Sequence, residues 1–508
     1  MKRIMKLYNS CKSSIKVTFF AVLLITIGFL IKNENVNLFY TFRSPFILFI
    51  GEFFYDIGTL ILMNLPLIFM LNGVCKKSSN ASVVITAIVG YFTYMVTTML
   101  FAPQNLGSQA YAGGTGINSI FNSLGTSSYP LETGMLGSLL VAIATRISFL
   151  YSRNKNNYSL FNIFSKEISG LIINVILCFL LGIGVSYLSP YFYSFLNRMI
   201  TFISGDLLDP YRIGLYSALD RFFSDLGLGS LIRNPFWYTA LGGSYSNTAT
   251  GEIIVGDINI WQATKNAIFL YEGAGRFTTF YYVINMFIIP AIYLGTWFSI
   301  TDKKEKNSWM IPVILGVIAS VIAGNPLPME YVMMFTAPFL YIFYLTAVGV
   351  VSGALIYFKA YLGFSPVGDN IVSSMPGSFP DFVINLRNPF ISSTLMNILY
   401  VGIAAFAVCF FVTYIYYHYL SIDFADTGVL KYASRNIIDV LGGKENISGA
   451  TGGILRLNVE IRDPEVISIE GLKELGPDKI VETKNGISLE YGTSSIRIAK
   501  EINRRISK

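Results

Sequence analysis

Residues 168–189 read Ile168-Ser-Gly-Leu-Ile-Ile-Asn-Val-Ile-Leu-Cys-Phe-Leu-Leu-Gly-Ile-Gly-Val-Ser-Tyr-Leu-Ser189 and contain no charged side chain. A transmembrane helix needs about 20 mostly apolar residues to cross the hydrocarbon core. Similar runs fall near 17–31, 46–74, 82–102, 134–152, 278–299, 310–324, 331–358 and 394–420, and interrupted or amphipathic ones at 191–204 and 353–392. The pattern predicts an α-helical polytopic membrane protein with about ten membrane-embedded segments.

The composition supports the same class. Of 508 residues, 53% are hydrophobic and 13% are charged, whereas soluble domains carry about a quarter charged residues. The net charge of +7 comes from basic residues at the ends of the apolar runs, such as Lys16, Lys76 and Lys303, and not from a basic stripe that would bind nucleic acid. By the positive-inside rule, the N-terminus is expected in the cytoplasm. The first apolar run lacks a convincing cleavage site, so we interpret it as a retained helix.

The four cysteines and the single histidine, His418, do not indicate a metal or redox site. Cys178 and Cys409 lie within apolar runs, and Cys11 and Cys75 flank such runs, so the spacing favours packing thiols over a disulfide or metal motif. We therefore predict no metal ion and no cofactor.

A broken apolar region provides the first candidate site. Gly324-Asn-Pro-Leu-Pro-Met-Glu330 stands between two apolar runs. Non-helical backbone at membrane depth is tolerated where protein buries it or where it lines a wet cavity, and transporters place substrate sites at such breaks. Gly324, Asn325 and Glu330 are therefore candidate substrate-binding residues, and an ordinary surface loop is the alternative.

Glu330 has two open interpretations. A carboxylate at membrane depth is costly unless it is paired or hydrated. In the first interpretation, Glu330 binds hydroxyl groups of a polar ligand. In the second, it forms a structural ion pair with Arg276 or Arg233. Both Gly-rich stretches upstream, 105–118 and about 221–276, are too long for simple turns.

The composition changes abruptly after about residue 424. Residues 430–508 are charged and contain no long apolar run. The alternating stretches Ile454–Ile461 and Gly486–Tyr491 predict strands, and Val429–Leu441 and Ser495–Ile506 predict helices. The chain is thus expected to consist of a membrane domain, 1–424, and a small cytoplasmic α+β domain, 430–508.

Two motifs in this C-terminal domain carry a family resemblance. Asn436-Ile-Ile-Asp-Val-Leu-Gly-Gly-Lys-Glu-Asn-Ile447 and Gly471-Leu-Lys-Glu-Leu-Gly476 resemble the enzyme IIB domain of glucose-superfamily permeases of the bacterial phosphoenolpyruvate-dependent phosphotransferase system. The membrane half resembles their enzyme IIC domain more loosely. The resemblance implies a IIC-type fold with re-entrant segments, a carbohydrate substrate, a homodimer and a place in the bacterial cell (inner) membrane.

The IIB-like motif departs from the family pattern where the chemistry occurs. The family reads approximately Asp-Ala-Cys-x-Thr-Arg-Leu-Arg, and this chain has Thr451-Gly-Gly-Ile-Leu-Arg-Leu-Asn458. Gly453 stands at the position of the phosphorylated cysteine and Asn458 at that of the second arginine, while Arg456 is retained. A phosphocysteine relay needs a thiolate, and residues 430–508 contain no cysteine. We therefore predict no catalytic residue in this domain.

The membrane half departs as well. The stretch Gly227-Leu-Gly-Ser-Leu-Ile-Arg-Asn-Pro-Phe-Trp237 falls where the family has Gly-Leu-His-His, and both histidines are replaced, by Gly229 and Ser230. At Gly324–Tyr331 the family's first glutamate is Leu327, and Glu330 is retained. By resemblance, Ser230, Arg233 and Asn234 join the candidate substrate-binding residues.

These features predict a sugar permease of the phosphotransferase class that binds or translocates a carbohydrate and no longer phosphorylates it. Whether it is an enzyme stays open, because it resembles a protein-phosphocysteine–sugar phosphotransferase without the cysteine. One alternative is a non-transporting sensor that signals through the IIB-like domain to a cytoplasmic regulatory or phosphotransferase protein. Another is a translocator that a separate IIB protein phosphorylates.

Overall fold

The computed structural model describes residues 2–32, 44–75, 81–103, 106, 129–153, 166–246, 251–264, 271–300, 303–364, 377–386, 392–420, 436–453, 456–475, 477, 479–483, 486–491 and 495–506. The chain divides into two compact units, Met1–Ile415 and Tyr416–Lys508. The boundary expected between 424 and 430 lies outside the described residues, as does most of the stretch 105–118.

The first unit is built from helices. They are α1 Lys2–Lys32, α2 Pro45–Met63, α3 Leu65–Cys75, α4 Ala81–Phe101, α5 Gly134–Arg153, α6 Lys166–Ser204, α7 Pro210–Asp225, α8 Gly229–Tyr238, α9 Asp257–Thr264, α10 Thr279–Val283, α11 Ile289–Ser299, α12 Lys303–Ala323, α13 Leu327–Thr336, α14 Pro338–Tyr357, α15 Phe379–Asn385 and α16 Ser392–Leu420. A π-helical turn, Ile284–Ile288, joins α10 to α11, and a short hairpin, β1 Ser244–Ser246 with β2 Ile253–Val255, precedes α9. In the described part of the chain, nine helical segments are long and apolar enough to cross a membrane. The polytopic helical fold is therefore confirmed.

Prolines explain where the apolar runs break and where they continue. The run 331–358 is two helices, because Pro338 begins α14 and Ala337 between them is not helical. By contrast, 168–204 is one helix that passes through Pro190. Pro190 cannot donate to the carbonyl of Ser186, and the Ser189 hydroxyl donates to that carbonyl instead at 2.7 Å. The freed backbone group is thus satisfied inside the helix.

Helices α7 and α14 approach each other through small residues. A Cβ atom on Gly214 of α7 would lie 2.6 Å from the carbonyl oxygen of Gly349 on α14, and one on Gly353 would lie 2.9 Å from the Pro210 carbonyl oxygen. Small residues let helix backbones come close in membranes. This antiparallel contact brings the C-terminal end of α7 beside the start of α14.

The break at Gly324 is buried within protein. Helix α12 ends at Ala323 and α13 begins at Leu327. Gly324 has a φ of +63°, and its carbonyl oxygen accepts from the Asn285 side chain at 3.1 Å. The Asn325 side chain, only 7% exposed, accepts the Leu327 N–H at 3.2 Å. These bonds satisfy irregular backbone, so this segment is a buried helix break and not a surface loop.

The second unit is a four-stranded antiparallel sheet with helices. Its strands, β3 Ile447–Gly452, β4 Arg456–Ile461, β5 Ile480–Thr483 and β6 Gly486–Glu490, lie in the order β3-β4-β6-β5. The helices are α17 Ile469–Glu474 and α18 Ser495–Ile506, and residues 436–440 are also helical. Apolar side chains of the strands and helices form one buried core. The α+β prediction is confirmed, and α18 has the bounds expected from the sequence.

Candidate functional site

A buried ion pair joins α7 to α13. Glu330 is 0% exposed and accepts two hydrogen bonds from Arg221, with Nε 2.9 Å from Oε1 and Nη2 2.6 Å from Oε2. The Tyr344 hydroxyl of α14 also donates to Oε1. Bidentate arginine–carboxylate pairs of this kind are strong and fix geometry.

The partner of Glu330 is therefore neither Arg276 nor Arg233, as the sequence had suggested. Arg276 is held by its own loop, and its Nε lies 3.9 Å from Asp257 Oδ1. Asp257 in turn accepts the N–H groups of Gly275 and Phe277 at 2.9 and 3.1 Å. The positions of Arg221, Arg233 and Arg276 along the chain did not indicate which of them pairs with Glu330.

A second ion pair lies beside the first and joins α7 to α8. Arg233 Nε lies 2.7 Å from Oδ1 of Asp220, which is 0% exposed, and the Tyr281 hydroxyl donates to the other carboxylate oxygen. The Tyr281 ring centroid lies 5.7 Å from the guanidinium carbon of Arg221 and 5.9 Å from that of Arg233. Both distances are within cation–π range, so Tyr281 links the two pairs.

Asp225 at the end of α7 is the third buried carboxylate. Its Oδ2 accepts the Tyr341 hydroxyl at 2.5 Å, and its Oδ1 lies 3.8 Å from Arg221 Nη2. Burial raises the pKa of Asp225 well above its ordinary value, and the charge of Glu330 raises it further, whereas Arg221 lowers it. We call Asp220, Arg221, Asp225, Arg233 and Glu330 with Tyr281, Tyr341 and Tyr344 the buried charge cluster.

The structure brings only some of the predicted site residues together. Glu330 and Arg233 belong to the buried charge cluster, while Gly324 and Asn325 form the helix break immediately before α13. Asn234 is half-buried on α8, and Ser230 is exposed there. None of the hydrogen bonds of the cluster described above involves Ser230 or Asn234.

The sequence reading missed the acidic residues of α7. It placed the start of an irregular polar stretch near Arg221, whereas α7 continues to Asp225. The signal for this helix was present, because Asp209 followed by Pro210 is a typical helix start. In the structure the Asp209 side chain accepts the Tyr211 N–H at 3.0 Å.

Gly453 lies where strand β3 turns into β4. Its N–H donates to the Arg456 carbonyl at 2.8 Å, and a Cβ atom added to it would have its nearest neighbour, the same oxygen, at 3.6 Å. The Asn458 side chain accepts the Ser488 hydroxyl at 2.7 Å across the sheet. Glycine is therefore not required by crowding at this position.

Two further features bear on ligand binding: the placement of metal-ligating side chains and a cavity beside α6. Within the described ranges, no three His, Cys, Asp or Glu side chains are grouped as metal ligands would be. A cavity of about 550 Å³ opens beside α6, with Tyr193, Asn197 and Arg198 in its wall. The predicted site residues do not line it.

Comparison with known proteins relates the whole chain to one class of transporter. No protein-family model matches the sequence. The curated "PTS system glucoside-specific EIICBA component" of Staphylococcus carnosus (strain TM300) is 23% identical over 500 residues, which span 95% of this chain and 70% of the relative. This chain is a homologue of phosphotransferase-system sugar permeases. The helical membrane unit and the small C-terminal sheet unit agree with a IIC domain followed by a small appended domain.

In this permease homologue, the side chains of Ser224 and Arg233 occupy the space where a Cβ atom of residue 229 would lie. A Cβ atom there would lie 2.5 Å from Ser224 Oγ and 2.7 Å from Arg233 Nη2. Real Cβ atoms do not approach other atoms this closely. The glycine, where the resembling family has a histidine, thus leaves room for the Arg233 guanidinium to reach Asp220.

Leu327 of the permease homologue also lies in an apolar environment. The family's first glutamate corresponds to this position, and here the leucine packs against a cluster formed by Ile15, Leu65 and Tyr331. A carboxylate at this point would face these apolar side chains and lose hydration. The local packing fits leucine.

Proposed function

We propose that this protein is a carbohydrate permease of the bacterial cell membrane whose internal phosphotransfer step has been lost. Its N-terminus and C-terminal unit lie in the cytoplasm, and it works as a homodimer, as the family resemblance implies. The relative is described as glucoside-specific, so glucosides are the first substrate class to examine. Gly453 is the observation that carries the proposal.

Phosphotransfer through the C-terminal unit would need a nucleophile on the β3–β4 turn. Gly453 has none, and residues 430–508 contain no cysteine. Thr451 carries a hydroxyl, but a hydroxyl is a weak nucleophile unless a base activates it. The second cation of the family motif is also absent, because residue 458 is an asparagine, and its side chain accepts the Ser488 hydroxyl.

The buried charge cluster has the chemistry to recognise a carbohydrate. Carboxylates accept hydrogen bonds from hydroxyl groups, and guanidinium groups donate to hydroxyl oxygens. The indole ring of Trp237 lies 5.5 Å from the Arg233 guanidinium carbon, so an aromatic face adjoins these polar groups. With the leucine at position 327, this site lacks the carboxylate that would orient a hydroxyl for phosphorylation.

Transport by the purified full-length protein in proteoliposomes tests the proposal. We expect saturable uptake of radiolabelled methyl glucosides without any phosphocarrier, and recovery of the unmodified sugar from the lumen. Binding without flux would contradict transport and favour a sensor. Recovery of sugar phosphate only after a separate IIB protein is added would contradict the transport of unmodified sugar and favour a translocator that a separate IIB protein phosphorylates.

The substitution Gly453→Cys tests the lost step directly. Because the nearest atom to a new Cβ is 3.6 Å away, we expect the variant to fold like Gly453→Ser, the matched control without a thiol. We expect neither variant to form sugar phosphate when phosphorylated carrier protein is supplied, because positions 327 and 458 also differ from the family. Efficient phosphorylation of the sugar by Gly453→Cys alone would refute this explanation.

A further inference from the structure

Asp225 and Glu330 are two buried carboxyl groups that share one guanidinium group. Both are 0% exposed, and Arg221 Nη2 lies 2.6 Å from Glu330 Oε2 but 3.8 Å from Asp225 Oδ1. Both hydrogen bonds of the bidentate pair go to Glu330, so Asp225 has only a long contact with this cation. A buried carboxyl group with so little to balance its charge is expected to keep its proton.

The charge balance of the buried charge cluster points to the same conclusion. Its three carboxylates face two guanidinium groups. Arg221 forms its bidentate pair with Glu330 and Arg233 pairs with Asp220, which leaves Asp225 with only the 3.8 Å contact to Arg221. One proton brings the cluster to zero net charge, as burial away from water favours.

The groups around Asp225 come from three helices. They are Arg221 on α7, Glu330 and Tyr331 on α13, and Tyr341 and Tyr344 on α14. The Tyr341 hydroxyl occupies Oδ2. In the described part of the chain, Oδ1 accepts no hydrogen bond from an N–H or O–H group, so this oxygen is the one available to carry the proton.

We propose that Asp225, beside the Arg221–Glu330 pair, is a proton-binding site of the membrane unit and is protonated at neutral pH. The raised pKa of Asp225, caused first by burial, agrees with this assignment. The oxygens of Glu330 hold Arg221. If Arg221 turned away to bind a ligand, the two carboxyl groups would lose their shared cation and would bind protons more tightly. This last consequence rests on the proposed function, whereas the proton site does not.

Asp220 provides the matched control. It is also 0% exposed and lies on the same helix, but it accepts from both Arg233 and Tyr281. Those donors stabilise the ionised form. Asp220 is thus a buried carboxylate that needs no proton.

Infrared spectroscopy of the full-length protein tests the proposal, because only a protonated carboxyl group gives a carboxylic-acid C=O band. We expect this band at pH about 7.5, well above the ordinary aspartic acid range. It should shift when the protein is labelled with ¹³C at the aspartate side-chain carboxyl carbon, disappear in Asp225→Asn, and persist in Asp220→Asn. In Tyr341→Phe, which removes a donor that favours the ionised form, the band should persist to higher pH than in the wild type.

Other results would overturn the proposal. It is wrong if the wild-type protein has no aspartic-acid band at this pH, or if Asp220→Asn removes the band and Asp225→Asn retains it. The isotope measurement uses the unmodified sequence, so the absence of an aspartic-acid band refutes the proposal even if a variant fails to fold, and the two Asn variants assign a band that is present to Asp225. Because no carbohydrate is needed, failure of the transport assay leaves this test intact.

Discussion

Removing the cation of the buried Arg221–Glu330 pair should destabilise the membrane unit strongly. In Arg221→Met, Glu330 loses both hydrogen bonds from the guanidinium at a site with 0% exposure, so it must either stay charged without a cation or take up a proton. Breaking a buried ion pair by deleting one partner costs about 3–5 kcal/mol. We expect a loss of this size in the free energy of unfolding, because the geometry is bidentate and both side chains are buried.

Two comparisons isolate the cause of this loss. Lys359→Met deletes the cation of the exposed Lys359–Glu272 pair, whose side chains are 73% and 62% exposed, and should cost at most about 1 kcal/mol. Adding Glu330→Gln to Arg221→Met removes the uncompensated charge and should restore much of the lost stability.

The measurement is reversible denaturant unfolding of the detergent-purified protein, followed by tryptophan fluorescence. A loss in Arg221→Met no larger than that in Lys359→Met would refute the argument. So would a double variant less stable than Arg221→Met, because the cost would then not come from the unpaired carboxylate.

Two further predictions concern the framework around the cluster. Gly214→Ala places a Cβ atom 2.6 Å from the Gly349 carbonyl oxygen and should lower the unfolding midpoint. The control Gly184→Ala, which has open space around its Cβ, should leave the midpoint unchanged or raise it. Equal midpoints for the two variants would contradict the close contact between the helices. Burial raises the pKa of Asp257 to about 6 from 3.8, so its contribution to stability is full below pH about 4 and is lost as the pH rises through about 6. Asp257→Asn should abolish this pH dependence of the free energy of unfolding, measured between pH about 4 and about 6. It should also cost about 1–3 kcal/mol of stability, because one backbone N–H loses its acceptor. An unchanged pH dependence in the variant would contradict the assignment.

The sequence was informative where local pattern and burial coincide. The bounds of α18 follow from apolar residues at helical spacing, and Glu330 stood out because an acidic residue between two apolar runs needs a physical reason. The run that became the single helix α6 was harder to interpret. The helix continues through Pro190 because the Ser189 hydroxyl donates to the Ser186 carbonyl, which Pro190 leaves without a donor. Helix propensities of single residues do not include such a bond.

The arrangement of the candidate site could not be predicted in the same way. The pairing of Glu330 with Arg221 spans 109 positions along the chain and depends on how α7 packs between α13 and α14. Composition around Arg221 suggested a loop because glycines and polar residues follow it. The acidic residues of α7 were therefore overlooked, although they dominate the charge of the site.

The tight space at Gly229 has a consequence for how this protein can change over time. Restoring a histidine there by a single substitution would collide with Ser224 and with the Arg233 guanidinium. Ser224 Oγ and Arg233 Nη2 are the ends of flexible side chains, so both would have to rotate away before the larger side chain fits. The return of the family's histidine therefore depends on the neighbours that now occupy the space.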